Sequence, residues 1–586
     1  MRRPKVWRTG ASRRRFQFVV VFAVVCFGVL VYRSAKIQVV YGSNYRADGV
    51  AQREDYTTIP AGRGTIFDRD GNELAITVPA QSLYADPREV VDPTATAHIL
   101  AQMLGLDPAS EAELSSRLAR KDQSFVYIQR FVDDAVAEAV LSLNLSGVNS
   151  VEEPKRVQVA GGLARSVIGR TDPFGVGSTG LEFQYDKVLR GQDGRSVEQQ
   201  YGGRSLPGTS RVLDEARPGT DLVLTLDRSM QYQAEQALLA RVEELGAKGG
   251  NVVIMDTDTG EVLAIASVRR GDDGIAAVTS GNLSAVEAYE PGSVAKVFSI
   301  SATIDSGAAV PETVYEVPGI YVFDEGQEYE KTITDAYPHD TEPMTLRDIL
   351  VKSSNIGTLM AAGGVGSEGL HDYLESFGFG QPSSLGFPGE SGGMLKSAAN
   401  WRGSENATIT YGYGFSATSL QTVAAVNAVA NGGVYVSPRL VRATIDENGS
   451  QWETPAGETH RVISEETAAT MADILTGVVC EGTGSRAQLP GISVAGKTGT
   501  GYKVQSNGTY ENEDGSRAYF ATFVGFLPAK DPAVTILVSI DEPNPSSRDR
   551  FGGTAAAPVF AALAQMSIHE RSIEPTPGDS GCGPRG

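Results

Sequence analysis

The sequence predicts an α/β chain of the α+β kind: one antiparallel sheet covered by helices, set behind an N-terminal region and one transmembrane helix. Three observations predict it. An apolar run, "FQFVVVFAVVCFGVLVY", occupies residues 16–32 behind a basic start. Two apolar runs flank a "DTDTG" turn in "GNVVIMDTDTGEVLAIAS", 250–267, which reads as an antiparallel hairpin. Strand character then returns in "GISVAGKTGTGY", "AYFATFVGFLP" and "AVTILVSIDEP", after a mostly helical region over roughly 292–480. A hairpin, a helical insertion, three strands and the closing apolar helix "TAAAPVFAALAQMSI", 554–568, imply one sheet continued across a long insertion.

The elements follow in chain order. Residues 1–15 carry seven basic residues and no acid, although the whole chain has a net charge of −20. The rest of the chain is therefore too acidic for the clustered Lys and Arg that phosphate contacts need, which excludes nucleic acid as a partner. A helix over 16–32 rises about 25 Å, near the lower limit for a bilayer core. The run is long for a signal peptide and no small-x-small cleavage site follows "VYRSAK", so residues 16–36 read as an uncleaved anchor. The basic flank stays in the cytoplasm, which places the chain from about residue 37 outside it.

Residues 37–220 form an extracytoplasmic region. Its "DRDG" is a hairpin-type turn, residues 93–146 read as helices, and "GSTGLEFQYDKVLRGQDG" reads as turn, helix, turn. The breaker pair in "ARPGTDLVLTLDRSMQYQ" puts the main domain boundary near 220, and the second domain runs over 221–570. "RSMQYQAEQALLARVEEL" is its first amphipathic helix. The Gly/Pro-rich residues 571–586 read as a disordered tail. Cys26, Cys480 and Cys582 suggest no plausible disulfide framework, and five scattered histidines form no metal-ligand cluster.

Three polar constellations interrupt this plan. In "EPGSVAK", 290–296, Ser293 and Lys296 lie three residues apart on one helical face, beside the partial positive charge of a helix N-terminus. In "KSSN", 352–355, Ser353 and Asn355 break a buried apolar face. In "GKTGT", 496–500, Lys497, Thr498, Gly499 and Thr500 follow a strand whose glycines admit another backbone, and an exposed strand edge there can bind an extended peptide. Taken singly, the first is a capping serine with a surface lysine, the second a satisfied polar pair and the third a glycine turn.

The ordered set reverses that preference. S-x-x-K, S-x-N and K-T-G, in this order, are the motif trio of penicillin-binding proteins and serine β-lactamases. Together with "RGTIFDRDG", "GSTGLE", "RPGTDLVLTLD", "TYGYGFSATSLQ", "ANGGVY" and "EGTG", the chain resembles a class B penicillin-binding protein over nearly its whole length. "YEPGS" and "KSSNIG" resemble the division-specific, septal branch more than the elongation branch.

The resemblance implies a penicillin-binding/serine β-lactamase-like transpeptidase domain on an elongated pedestal. The activity is a D,D-transpeptidase that cross-links peptidoglycan stem peptides ending in D-Ala-D-Ala. Ser293 would attack the penultimate D-Ala carbonyl. Lys296 would accept its proton, kept neutral by burial and by a cation such as Lys497. Ser353 would relay the proton, and Asn355 would hold Lys296 and the substrate amide. The N–H groups of Ser293 and Thr500 would form the oxyanion hole, and Lys497, Thr498 and Thr500 would bind the substrate carboxylate. β-Lactam antibiotics would acylate Ser293. The implied partners are the membrane, a lipid-linked glycan polymerase and other division proteins, with no cofactor and no metal.

Arg63, Asp68, Arg69 and Glu182 of the pedestal read as structural ion pairs. "GESGG", 389–393, matches a serine-protease signature but has no triad context, and a glycine loop explains it. Two alternatives to the transpeptidase stand: a carboxypeptidase or β-lactamase-like hydrolase on the same scaffold, and a non-catalytic penicillin-binding scaffold. Against a β-lactamase, no E-x-x-L-N-like segment follows the S-x-N motif.

Overall fold

The structure is a computed structural model that describes residues 10–51, 53–201, 204–206, 208–503, 509–511, 515, 517–576, 579 and 581–583. It divides into two compact units, one of Met1–Ala61 with Gln192–Arg217, the other of Gly62–Gly191 with Pro218–Gly586.

In the first unit, α1 (Gly10–Ala35) continues through a wider helical turn at Lys36–Val40. Residues Arg13–Val40 make 28 helical residues whose apolar 18-residue stretch has a mean hydropathy of 2.3 and is nowhere buried, long enough to cross a membrane. The strand Glu54–Ile59 pairs antiparallel with Gly194–Tyr201, which also pairs with Arg211–Asp214.

The second unit holds the predicted sheet. The helix α2 (Arg228–Glu244) precedes the hairpin β1 (Gly249–Asp256) and β2 (Val262–Arg270), followed by the short β3 (Ala276–Val278). The helices α3 (Ala295–Asp305), α4 (Leu346–Lys352), α5 (Asn355–Ala362), α6 (Ser419–Ala430) and α7 (Glu465–Cys480) follow. Strands β4 (Ala495–Tyr502), β5 (Tyr519–Leu527) and β6 (Val534–Asp541) lead into the closing helix α8 (Ala557–Glu570). The six strands run in the order β3-β2-β1-β6-β5-β4, antiparallel throughout, so β4 with the "KTGT" segment is an edge. Nearly every residue of β1, β2, β5 and β6 is buried, because helices cover both faces: α2 and α8 pack on one, and the cluster around α3 and α6 on the other. The central helix α6 is buried all round, which is why its sequence, "SLQTVAAVNAVA", carries no charge.

The helical insertion is less helical than its sequence suggested. Two small strand pairs lie inside it, Tyr315–Val317 with Glu342–Met344 and Ile320–Phe323 with Lys331–Thr334. Each strand is only three or four residues long, too short for alternation to stand out.

A second, seven-stranded sheet contains Ile66–Phe67, Glu73–Ala85, Val126–Val132 and Val148–Gln158, joined through Asp221–Leu224 to Val441–Ile445 and Gln451–Glu453. The expected structural ion pairs are present beside it. Arg63 Nε reaches Glu182 Oε2 at 2.5 Å and its Nη1 reaches Asp186 Oδ1 at 2.8 Å, while Arg156 Nε takes Glu182 Oε1 at 2.7 Å. Arg69 pairs with Glu261 at 3.4 Å, whereas Asp68 departs from the expectation: it holds its turn instead of pairing with a cation, its Oδ1 accepting from the N–H groups of Asp70 and Asn72.

Two expectations are corrected at the C-terminus. Cys480 and Cys582, for which no pairing was expected, form a disulfide across a separation of 102 residues. Within the stretch expected to be a disordered tail, Asp579 is held down there, its Oδ2 accepting from Ser493 N at 2.8 Å and Ser493 Oγ at 2.7 Å. The reason is spatial: α7 ends at Cys480, close to the Leu489–Ile492 turn against which Gly581 packs.

Candidate functional site

The site is built where β4, the start of α3 and the α4–α5 junction meet. Pro291 leads into a tight turn, Gly292–Val294, and α3 begins at Ala295. Ser293 is half-buried on that turn and caps no helix with its side chain. Gly292 has φ +54°, and a Cβ there would sit 3.0 Å from Gly501 N and Thr500 O. A Cβ at Gly499 would meet Val294 Cγ2 at 2.8 Å and Pro291 O at 2.9 Å. Glycine at these positions lets the Ser293 turn lie directly against the "KTGT" edge.

Lys296, on the first turn of α3, is fully buried. Its Nζ donates to Ser353 O at 2.6 Å and to Ser353 Oγ at 3.3 Å. Lys497, on β4, is 1% exposed, and its Nζ donates to the same Ser353 Oγ at 2.9 Å and to Thr498 O at 3.1 Å. Ser353 closes α4 with φ 59° and ψ 43°, a left-handed conformation sparsely populated by residues with a Cβ. Two lysines thus converge on one hydroxyl. A hydroxyl accepts twice and donates once, so the Ser353 hydrogen is free to face a third group.

Burial of both ammonium groups sets their protonation. Burial first, and then the nearby Lys497, pull the Lys296 pKa well below the ordinary lysine value, with Asp335 opposing. Burial pulls Lys497 down to about 7. A neutral amine at Lys296 can accept a proton, and Ser293 precedes it by three residues, on the turn that leads into α3.

The remaining sequence-predicted residues divide. Thr498 Oγ1 shares a hydrogen bond with Thr483 Oγ1 at 2.7 Å, and Thr500 Oγ1 accepts from Gly552 N at 3.3 Å, so both threonines lie on the edge strand beside the Ser293 turn. Among the described residues Asn355 makes no hydrogen bond to Lys296. At the start of α5, its Nδ2 donates to Thr334 O at 2.9 Å and its N–H to Asp335 Oδ1 at 2.6 Å. Among the described residues the Ser293 hydroxyl makes no hydrogen bond in this structure. "GESGG" is a loop, with Glu390 accepting from Ser383 N and Ser391 N bonding Ala285 O.

Two acidic residues had no assigned role. Glu290, next to the Ser293 turn, accepts from Gly414 N at 2.8 Å and Tyr510 OH at 2.9 Å, and burial raises its pKa. Asp335 lies buried under the α5 N-terminus. The charge of Glu290 was visible in "YEPGS", whereas nothing local distinguishes Asp335 in "TITDAY".

Comparison with known proteins agrees with this geometry. Residues 250–565 match the family described as penicillin binding protein transpeptidase domain, and residues 58–224 match the penicillin-binding protein dimerisation domain. Penicillin-binding protein PbpB of Mycobacterium tuberculosis is 34% identical over 580 residues, covering 92% of this chain and 83% of that protein. The probable peptidoglycan D,D-transpeptidase PenA of Neisseria meningitidis is 32% identical over 577 residues, covering 96% and 94%. The crystal structure of penicillin binding protein 3 from Mycobacterium tuberculosis complexed with ampicillin matches with a TM-score of 0.68 at 30% identity, covering 89% of this chain and 99% of that one.

Proposed function

We infer the reaction from the site and from the family together: the chain belongs to the class B penicillin-binding proteins, which join a transpeptidase domain to a dimerisation domain. It is a serine D,D-transpeptidase that cross-links peptidoglycan and is a target of β-lactams. Ser293 Oγ attacks the penultimate D-Ala carbonyl of a stem peptide and passes its proton to neutral Lys296. The C–N bond to the terminal D-Ala breaks, and that amine leaves with a proton relayed through Ser353. The amine of a second stem peptide then attacks the ester, forms the cross-link amide and returns the proton to Ser293. The N–H groups of Ser293 and Thr500 stabilise the oxyanion, a contribution of about 10²–10³ in rate for each such donor. Lys497, Thr498 and Thr500 hold the substrate carboxylate while Gly499 keeps the strand close to the nucleophile turn.

The observation that carries this assignment is the convergence of Lys296 and Lys497 on Ser353 Oγ. The same reading places the basic N-terminus in the cytoplasm and the catalytic body outside it. It makes 37–220 a pedestal for division partners, among them a lipid-linked glycan polymerase, and 221–570 the catalytic domain, working at the septum. The test is covalent labelling of the full chain in detergent by a fluorescent penicillin. The wild type is expected to label and Ser293→Ala to stay unlabelled. A label surviving in Ser293→Ala would overturn the assigned nucleophile, and rapid nitrocefin turnover would point to a hydrolase.

A further inference from the structure

Asp335 follows the strand Lys331–Thr334, outside every catalytic motif in the sequence. Its side chain is wholly buried, and its carboxylate is the meeting point of four hydrogen bonds. Oδ2 accepts from Ser354 Oγ at 2.6 Å and from His339 Nε2 at 3.1 Å. Oδ1 accepts from Asn355 N at 2.6 Å and Ile356 N at 3.1 Å. The carboxylate therefore fills the N-terminus of α5, where free N–H groups and the helix dipole favour a negative charge.

Ser353 lies one residue before Ser354, between α4 and the turn that Asp335 clamps. Its left-handed backbone points the Ser353 carbonyl at Lys296 Nζ, and a non-glycine residue keeps that conformation only where its surroundings impose it. Asp335 imposes it from the C-terminal side. The same carboxylate acts on Lys296 through its charge, opposing Lys497.

We propose that Asp335 is a positioning residue for acyl transfer, fixing the Ser353 turn on Lys296 and supplying the negative charge that offsets Lys497. The proposal rests on the reading of Ser293 as nucleophile and Lys296 as its proton acceptor. The charged and titratable groups concerned are Lys497 and Asp335 facing Lys296, and His339 and Lys296 facing Asp335. Beyond His339 lie Tyr337 and Glu342, the latter already paired with Lys352 at 2.8 Å.

The two roles leave different traces. Asp335→Asn keeps an acceptor for the two α5 N–H groups but removes the charge. Asp335→Ala removes both. His339→Gln leaves the charge in place. The measurement is the second-order rate of labelling by fluorescent penicillin against pH, on the full chain in detergent, with Ser293 confirmed as the labelled residue. The acid limb, which rises as Lys296 loses its proton, is expected to move to lower pH in Asp335→Asn and to stay in place in His339→Gln. The plateau rate of Asp335→Ala is expected to fall by about tenfold or more, as small misplacements of reacting groups do. A fall in rate with an unmoved acid limb in Asp335→Asn would reduce Asp335 to an ordinary helix cap and overturn the proposal. An unlabelled Ser293 in the wild type would instead overturn the reading beneath it, and the proposal with it.

Discussion

Two places in the larger unit bury several charges at once, and they do so in opposite ways. Beside the seven-stranded sheet, Arg63 and Arg156 share Glu182, with Asp186 and the carbonyls of Gly64, Gly175 and Glu182 taking further guanidinium hydrogens, while Arg156 Nη2 is buried without a partner. At the α3–β4 meeting point, Lys296 and Lys497 share the Ser353 hydroxyl, and their other partners are the Ser353 carbonyl for the first and the Thr498 carbonyl and hydroxyl for the second. The first cluster is neutralised, as a buried charge must be when its task is to hold a fold. The second leaves like charges facing each other without a direct carboxylate partner, and the strain is relieved by losing a proton. A buried paired charge marks architecture, whereas a buried unpaired one marks chemistry.

The sharpest way to break this comparison is to substitute Lys296. Lys296→Met is expected to slow penicillin labelling by about 10²–10⁴-fold, the usual worth of a general base, with no fall in thermal midpoint. A lowered midpoint would mean that Lys296 serves the fold as Arg63 does. The converse change is Glu182→Gln. It leaves the buried Arg156 without a carboxylate and Arg63 with Asp186 alone, and is expected to cost about 3–5 kcal/mol in denaturant unfolding, while the folded fraction labels at the wild-type rate.

Lys497→Met combines both readouts with a smaller effect. Lys497 holds fewer protons folded than unfolded between about 7 and its ordinary 10.5, so its contribution makes stability rise with pH across that window. The substitution is expected to flatten that rise and to stabilise the neutral protein by on the order of 1–4 kcal/mol, as hydrophobic replacement of buried charge does elsewhere. It is also expected to weaken labelling by penicillins that carry the carboxylate. A loss of stability at neutral pH would show that the lysine is satisfied after all.

Legibility followed sequence distance. The β1–β2 hairpin, the strands β5 and β6 and the helices α2 and α8 stand out because each is a run of one periodicity, with turn residues at its ends. Ser293, Lys296, Ser353, Lys497 and Thr500 stand out because their motifs occur in order. Asp335 was missed because its partners Ser354, Asn355 and Ile356 lie 19–21 residues further on and no spacing rule links them. The motif that names Asn355 does not say what it bonds, and in the structure its hydrogen bonds run to Thr334 and Asp335. The disulfide was missed for the same reason at longer range, since two cysteines 102 residues apart share no local pattern.

The sequence by itself determined the apolar span, the alternation of strands and helices, and the chemical types present at the site. These are properties of short segments, written in hydrophobic period, turn residues and spacing. Only the tertiary structure decided that Lys296 and Lys497 meet on one Ser353 hydroxyl, that both are dry enough to give up a proton, and that Asp335 stands behind them. Dielectric and proximity belong to the packed chain, because a pKa depends on what surrounds a group and not on what precedes it.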